Sequence, residues 1–152
     1  MRVTDQYFWN FVFLVFFLIL IVMGAIILDT EARMALTDLA MTDYVLITLA
    51  AWRLNRLLVS DMMTKFFREQ FWDVKKVGKR FELEKPKVGP RRTLADLLSC
   101  SWAFGLWAAA TVTFFYLVTP YAVFPVTILA VAAVATGLQL LANLVVHKTE
   151  SL

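Results

Sequence analysis

Residues 8–28, FWNFVFLVFFLILIVMGAIIL, are 21 consecutive residues without a formal charge, and this stretch decides the class of fold. A helix of about 20 apolar residues, rising 1.5 Å per residue, spans the roughly 30 Å hydrocarbon core of a bilayer. Two further long apolar runs lie in the last third, and hydrophobic residues make up 61% of the 152-residue chain. A chain of this length cannot bury several such runs in a water-soluble core, so the sequence predicts an integral membrane protein.

The pattern of apolar runs predicts an all-α, polytopic membrane protein with four transmembrane helices in one membrane domain, residues 1–152. The first run exceeds the apolar core of a secretory signal peptide, about 7–15 residues, so we expect it to be retained. Arg53, Asn55 and Arg56 interrupt the second span, which makes it the least apolar of the four. The predicted spans are about 8–28, 44–60, 100–118 and 122–146.

The charges predict the orientation. The loop at 61–99 holds ten of the fifteen Lys and Arg residues, whereas residues 29–43 are acidic. By the positive-inside rule the basic loop is cytoplasmic, and four spans then put both termini in the cytoplasm. Basic residues near the inner leaflet attract anionic lipids, by about 1 kcal/mol each. Six acids interleave with the ten bases, which argues against binding to nucleic acid.

The basic loop itself has a pattern. In residues 62–77, MMTKFFREQFWDVKKV, apolar side chains recur every three or four residues, which predicts an amphipathic helix on the inner membrane surface. Residues 78–90 contain two glycines and two prolines, so an irregular loop is expected there. Thr93 is the expected N-cap of the next helix. The apolar positions of the predicted amphipathic helix are Met63, Phe66, Phe67, Phe71, Val74 and Val77.

Arg53 and Arg56 lie three residues apart on one face of the second span. A charge at the membrane centre costs about 2.5–3.5 kcal/mol on insertion scales, so compensating partners are expected. Asp61 near the inner boundary is one candidate. These residues predict a polar cluster between spans two and four that binds an anionic group such as a lipid phosphate. The alternative is that both arginines snorkel to the interface or bond to carbonyls and fix helix packing. The other candidate partners form a stripe on the fourth span: Gln139, Asn143 and His147.

A second motif, CSWAFGLW, opens the third span with Cys100, Trp102, Gly105 and Trp107. Tryptophans at this level are typical interfacial anchors, and Gly105 with Ala109 forms a face on which another helix packs closely. The motif therefore predicts helix packing. One Cys excludes an intramolecular disulfide, and one Cys with one His disfavours a zinc site. We expect no metal and no cofactor.

These two motifs together carry a family resemblance. AWRLNRLLVSD at 51–61 and LLSCSWAFGLW at 97–107 resemble the thirteen-sixty domain-of-unknown-function family of small bacterial membrane proteins, which includes YjcA-like sporulation proteins. The family pattern is Arg-Leu-x-Arg-Leu ending in Asp, then Cys-Pro-Trp-Cys-x-Gly-x-Trp. Here Ser101 and Ala103 replace the Pro and the second Cys, which removes any metal or disulfide role of a Cys pair. The resemblance covers about 50–110. It implies a bacterial cytoplasmic membrane protein whose core is spans two and three, and it implies no reaction.

The predicted function is a non-enzymatic scaffold or a membrane subunit of a larger assembly. Catalysis within a membrane normally requires acidic, His or Cys side chains in the spans. The only charged residues within the four predicted spans are Arg53 and Arg56. Expected partners are anionic inner-leaflet lipids and a second copy of the chain or other membrane proteins. The alternatives are a small transporter, channel or anionic-lipid-binding protein that uses the two arginines and, less favoured, a phage holin-like protein.

Overall fold

The computed structural model describes residues 3–87 and 89–151, apart from the side chains of residues 3–5 and 63. The chain is mostly helical. Short 3₁₀ turns lie at Leu36–Asp38, Met62–Thr64 and Pro120–Ala122. The predicted single domain, residues 1–152, extends beyond the described residues and stays a prediction. The side chain of Met63, one of the apolar positions of the predicted amphipathic helix, also lies outside the described residues. The elements are α1 (Val3–Glu31), α2 (Met41–Val59), α3 (Lys65–Glu69), β1 (Asp73–Val77), β2 (Arg80–Glu84), α4 (Pro90–Ser99), α5 (Ser101–Val118) and α6 (Val123–Glu150).

In the part of the chain that the structure describes, three stretches of helix are long and apolar enough to cross a membrane, which fits the predicted membrane protein. They lie in α1, in α5, and in α6 with the turn before it: Gln6–Glu31, Ser101–Val118 and Pro120–Glu150. The helices α1, α2, α5 and α6 match the four apolar runs to within a few residues. Although α2 has 19 residues, its polar side chains leave it outside the apolar set.

The least apolar long helix, α2, lies at the centre of the bundle, packed against both α5 and α6. Ala50 and Ala51 of α2 are buried, and Ala50 has no exposed surface. Small side chains let helix backbones approach closely, and close packing is a main source of helix association in lipid. The core cluster that joins the three helices consists of Ile47, Ala50, Ala51, Val112, Tyr116 and Val126.

Hydrogen bonds at both ends show that α2 and α5 are antiparallel. Near the start of α2, the Tyr116 hydroxyl donates to Asp43 Oδ1 over 2.6 Å. Near the other end, Asn55 Nδ2 donates to the backbone oxygen of Ser101 over 2.9 Å. The two helices therefore lie side by side over almost the whole length of each.

The first helix lies at the edge of the bundle, beside α4 and α5. The rings of Phe17 and Trp107 lie 4.6 Å apart, and farther along Gly24 faces Phe114, so α1 and α5 run in the same direction. Among residues 6–31 only Phe17 is buried. The helices α1, α2 and α5 thus alternate in direction, and α1 contributes little to the core.

The predicted amphipathic helix over 62–77 is wrong. After a 3₁₀ turn, α3 ends at Glu69, and the chain then forms an antiparallel β-hairpin in which Val77 pairs with Arg80. Gly78 and Lys79 form a two-residue turn, with Gly78 at φ 62°. A glycine with positive φ followed by a residue with negative φ is typical of a type II′ turn, whose twist matches that of the strands.

Two further expectations for this segment are also wrong. Residues 80–84 are a strand and not an irregular loop, so the mostly helical protein also contains a two-stranded sheet. Thr93 is not an N-cap, because α4 already begins at Pro90 after Gly89, which has φ 110°. Proline suits the first helical position since its missing N–H would have no partner there.

We predict that Gly78→Ala opens the hairpin. An alanine at φ 62° costs about 1 kcal/mol or more, which corresponds to roughly fivefold more frequent opening. Hydrogen–deuterium exchange of residues 73–84 in the purified protein measures this opening. Lys79→Ala is the matched control because Lys79 has no positive φ, and equal exchange in the two variants would contradict the assigned turn.

Candidate functional site

Arg53 of the predicted polar cluster pairs with Asp61. The Arg53 guanidinium lies 3.2 Å from Asp61 Oδ2, and the two side chains are 18% and 26% exposed. The turn after α2 brings the carboxylate back to the helix end, and Thr64 Oγ1 donates there to the backbone oxygen of Leu57 over 2.5 Å. Breaking a partly buried ion pair leaves an uncompensated charge, which is unfavourable. The Arg53 guanidinium is therefore already paired within the protein, with Asp61.

Arg56 has a different environment. Its guanidinium carbon lies 6.0 Å from the ring centroid of Trp52, a cation–π contact, and the Trp52 side chain is exposed. Among residues 6–62, 64–87 and 89–151, whose side chains the structure describes, Arg56 forms no ion pair. A guanidinium stacked on an exposed tryptophan remains able to bind an anion.

The polar stripe of α6 is separate from the two arginines. Gln139, Asn143 and His147 are exposed, and Gln139 Nε2 donates to Asn143 Oδ1 over 3.1 Å. Among the described residues, no hydrogen bond or ion pair joins this stripe to Arg53 or Arg56. The structure thus brings Arg53 to Asp61 but does not bring the stripe to the arginines. Contact of these residues with an anion or lipid stays a prediction.

Asn55, which in the sequence is only an interruption of the second span, bonds α2 to α5. Its Nδ2 donates to the backbone oxygen of Ser101 over 2.9 Å and to Ser101 Oγ over 3.1 Å. A Cβ on Gly105 would lie 3.3 Å from this nitrogen. Gly105 therefore makes room for Asn55, and the two motifs, far apart in sequence, form one joint between helices.

The remaining residues of the CSWAFGLW motif are divided between packing and exposure. Trp107 packs on Phe17 of α1, whereas Trp102 is 92% exposed at the start of α5. Cys100 precedes α5 and is exposed, and its backbone oxygen accepts from the N–H of Phe104 over 3.0 Å. Gly105 and Trp107 thus face neighbouring helices, and Trp102 and Cys100 do not.

A second set of polar contacts, not predicted by the sequence patterns, joins α2 to α5 at the opposite end of α2. Asp43 accepts from Tyr116 and, over 3.0 Å, from the backbone N–H of Ala40. Arg33 donates its backbone N–H to Leu117 over 2.9 Å, and its guanidinium carbon lies 6.0 Å from the Tyr116 ring centroid. No local spacing connects these residues, so only the fold could reveal this joint.

A third joint ties α1 to α4. Gln6 Nε2 donates to Thr93 Oγ1 over 2.8 Å, and Thr93 Oγ1 donates to Asn10 Oδ1 over 3.1 Å. Thr93 is buried, with 8% exposure. Gln6 and Asn10 are four residues apart at the start of α1 and so lie on one helix face. This spacing is the only feature of the sequence that could have indicated the contact with Thr93.

The described residues contain no group of three or more His, Cys, Asp or Glu side chains that could hold a metal ion. The expected absence of a metal and of a cofactor stays a prediction. The candidate site therefore consists of polar contacts between helices. Arg56 is the one basic residue of α2 that forms no ion pair with the described side chains.

The comparisons agree with the resemblance that these motifs carry. The model of a family described as "Protein of unknown function (DUF1360)" matches residues 46–142. The chain belongs to this family. It is also similar to the UPF0713 protein YngL of Bacillus subtilis (strain 168), with 30% identity over 102 residues, covering 66% of this chain and 78% of that protein. No solved structure matches the chain.

The family match extends farther than the sequence resemblance at 50–110 did. It runs from α2 through the hairpin, α4 and α5 into α6, and it leaves α1 outside. The core of the family thus includes α6 in addition to spans two and three. The matched region is also the part in which α2 packs on both of its neighbours.

We predict that Gly105→Leu disrupts the joint between α2 and α5. The added side chain must displace Asn55, at a cost of about 1–3 kcal/mol, which lowers the thermal unfolding midpoint in detergent. Gly137→Leu is the matched control, because no atom lies within 4 Å of its added Cβ. In the double variant Gly105→Leu with Asn55→Ala, the smaller side chain at residue 55 should restore much of the lost thermal unfolding midpoint. Equal shifts for the two leucine variants would contradict this joint.

Proposed function

We propose that this chain is a non-enzymatic, four-span protein of the bacterial cytoplasmic membrane that acts as a scaffold or as the membrane subunit of a larger assembly. The observation that carries the proposal is that the polar side chains of α2 bond mainly to other parts of the protein. Asp43, Asn55 and Arg53 bond to Tyr116, to Ser101 and to Asp61. These bonds join elements of the protein to one another, as expected of a structural component.

The crossing of α2 is supported by its surroundings and not by its hydropathy. Its two ends bond to the two ends of α5, and α5 is long and apolar enough to span a membrane. A helix bonded along such a neighbour crosses the same thickness. Polar side chains in a span are tolerated when they face other helices, and α2 lies between two of them.

The proposed orientation puts the hairpin and α4 in the cytoplasm. The segment between α2 and α5 carries ten of the fifteen basic residues and lies at the same end as the start of α1. The start of α6 lies at the other end, because Val126 packs in one cluster with Tyr116 near the end of α5. The bonds of Gln6 to Thr93 support this because they join α1 to the segment. Both termini then lie on the cytoplasmic side.

A second candidate function is binding of an anionic lipid by Arg56. The observation that favours it is that Arg56 stacks on the exposed Trp52 and forms no ion pair within the described part of the chain. Pairing with Asp61 weakens the same role for Arg53. A transporter or channel that selects anions with both arginines is weakened for the same reason.

Native mass spectrometry of the full chain, released from its own membrane in mild detergent, tests the proposed function. We predict a complex of defined stoichiometry, either a homo-oligomer or an assembly with other membrane proteins. An unrelated tagged membrane protein released from the same membranes is the control for incidental association. A monomer without protein partners would contradict a scaffold or subunit.

A further inference from the structure

A cleft of about 270 Å³ lies between α3, the hairpin and α4. Its floor is apolar and is formed by Trp72, by Leu83 of β2 and by Leu98 of α4, which is 7% exposed. Three separate elements of the chain thus meet around it. The floor could accommodate hydrocarbon or the glycerol part of a lipid but offers little to a bare ion.

The rim of this cleft carries one basic side chain, Arg68, that forms no ion pair with the side chains that the structure describes. Lys65 and Glu69 lie on the rim 3.6 Å apart and largely neutralise each other. Arg68, between them in sequence, donates to the backbone oxygen of Asp61 over 3.4 Å and forms no ion pair with any side chain that the structure describes. A guanidinium that retains free N–H groups is the side chain best suited to bind a phosphate through two parallel hydrogen bonds.

The position of the cleft fits a lipid headgroup. Ser99, which also lines it, is two residues before α5 begins, and Arg68 is tied to the turn that ends α2. In the proposed membrane placement these helix ends lie at the inner interface. The inference rests on that placement, although it does not depend on the scaffold function.

Exposed apolar side chains beside the cleft favour a lipid over a soluble anion. Met62 and Phe66 are 84% and 68% exposed, and Phe67 is also exposed. Such side chains gain free energy when they enter the boundary between headgroups and acyl chains. A soluble phosphate would leave them in water.

We propose that the cleft bounded by Arg68, Trp72, Leu83 and Leu98 binds the phosphate of an anionic phospholipid of the inner leaflet. Arg68 binds the phosphate oxygens, and the floor packs against the glycerol and the first carbons of the acyl chains. The shared chemistry of the ligand is a phosphate ester, and the lipid is the source that these surroundings favour.

The test is native mass spectrometry of the full-length protein in detergent, titrated with phosphatidylglycerol or with phosphatidylcholine of the same chain length. The protein should bind phosphatidylglycerol more tightly. Arg68→Gln should lower that affinity by about tenfold or more, the effect of losing a charge-assisted hydrogen bond. Lys79→Gln removes the same charge in the hairpin turn and should change the affinity by less than about twofold.

A second pair of variants keeps the test decisive if Arg68→Gln fails to fold. Leu83→Glu introduces a negative charge into the cleft on an exposed strand, whereas Val77→Glu introduces it on the opposite face of the hairpin. Only Leu83→Glu should weaken phosphatidylglycerol binding. Circular dichroism of each variant confirms that the helices are retained.

Three outcomes would overturn the proposal. Arg68→Gln or Leu83→Glu could bind phosphatidylglycerol as the unchanged protein does. Arg56→Gln alone could abolish binding, which would assign the lipid to Arg56. Millimolar inorganic phosphate could displace the lipid, which would make the source a soluble anion. Failure of the scaffold function appears separately, as a monomer without protein partners in spectra of the protein released from its own membrane.

Discussion

Inside a bilayer polar groups need partners within the protein, and α2 is the least apolar of the long helices, with Arg53, Asn55 and Arg56 in its second half. Thr48 donates back to the carbonyl of Tyr44, which leaves Asn55 and the two arginines to be satisfied elsewhere. Packing α2 against α5 gives the Asn55 amide nitrogen its acceptors at Ser101, although Asn55 Oδ1 is buried without a hydrogen-bond partner among the described residues. The turn after α2 supplies Asp61 to Arg53. The arrangement of the other helices follows from this placement.

Hydrogen bonds alone do not hold this arrangement together. Interhelical hydrogen bonds in membranes contribute about 0.6 kcal/mol each on average, so close packing of small side chains must supply much of the association. Ala50 on α2, Ala108 on α5 and Ala130 on α6 are each almost fully buried, which lets the three backbones approach. The edge helix α1 lacks such a face and is tied instead by Gln6 to α4 and by Phe17 to Trp107. This agrees with a family match that excludes it.

Sequence patterns predicted the long helices well because an uninterrupted apolar run has few alternatives to a helix. They failed in the connecting segment, where apolar residues at 62–77 fit a helical period although Gly78 at φ 62° ends the strand and turns it back on itself. Of the candidate site, the proximity of Arg53 to Asp61 was predictable since the residues are close in sequence. The bonds of Asn55 to Ser101 and of Asp43 to Tyr116 connect distant segments, and no local pattern specifies such pairs.

Cross-linking in intact membranes tests the central placement of α2 most directly. With Cys100 replaced by Ser, cysteines are introduced at Asn55 and Ser101 in one variant and at Asp43 and Tyr116 in another, and each pair is joined with a short thiol reagent. Trypsin cleavage in the basic segment between α2 and α5 then shows whether the two fragments remain connected. Connection in both variants is the predicted result. Connection of the Asn55 pair without the Asp43 pair would mean that α2 does not run the length of α5, and it would contradict the four-span bundle.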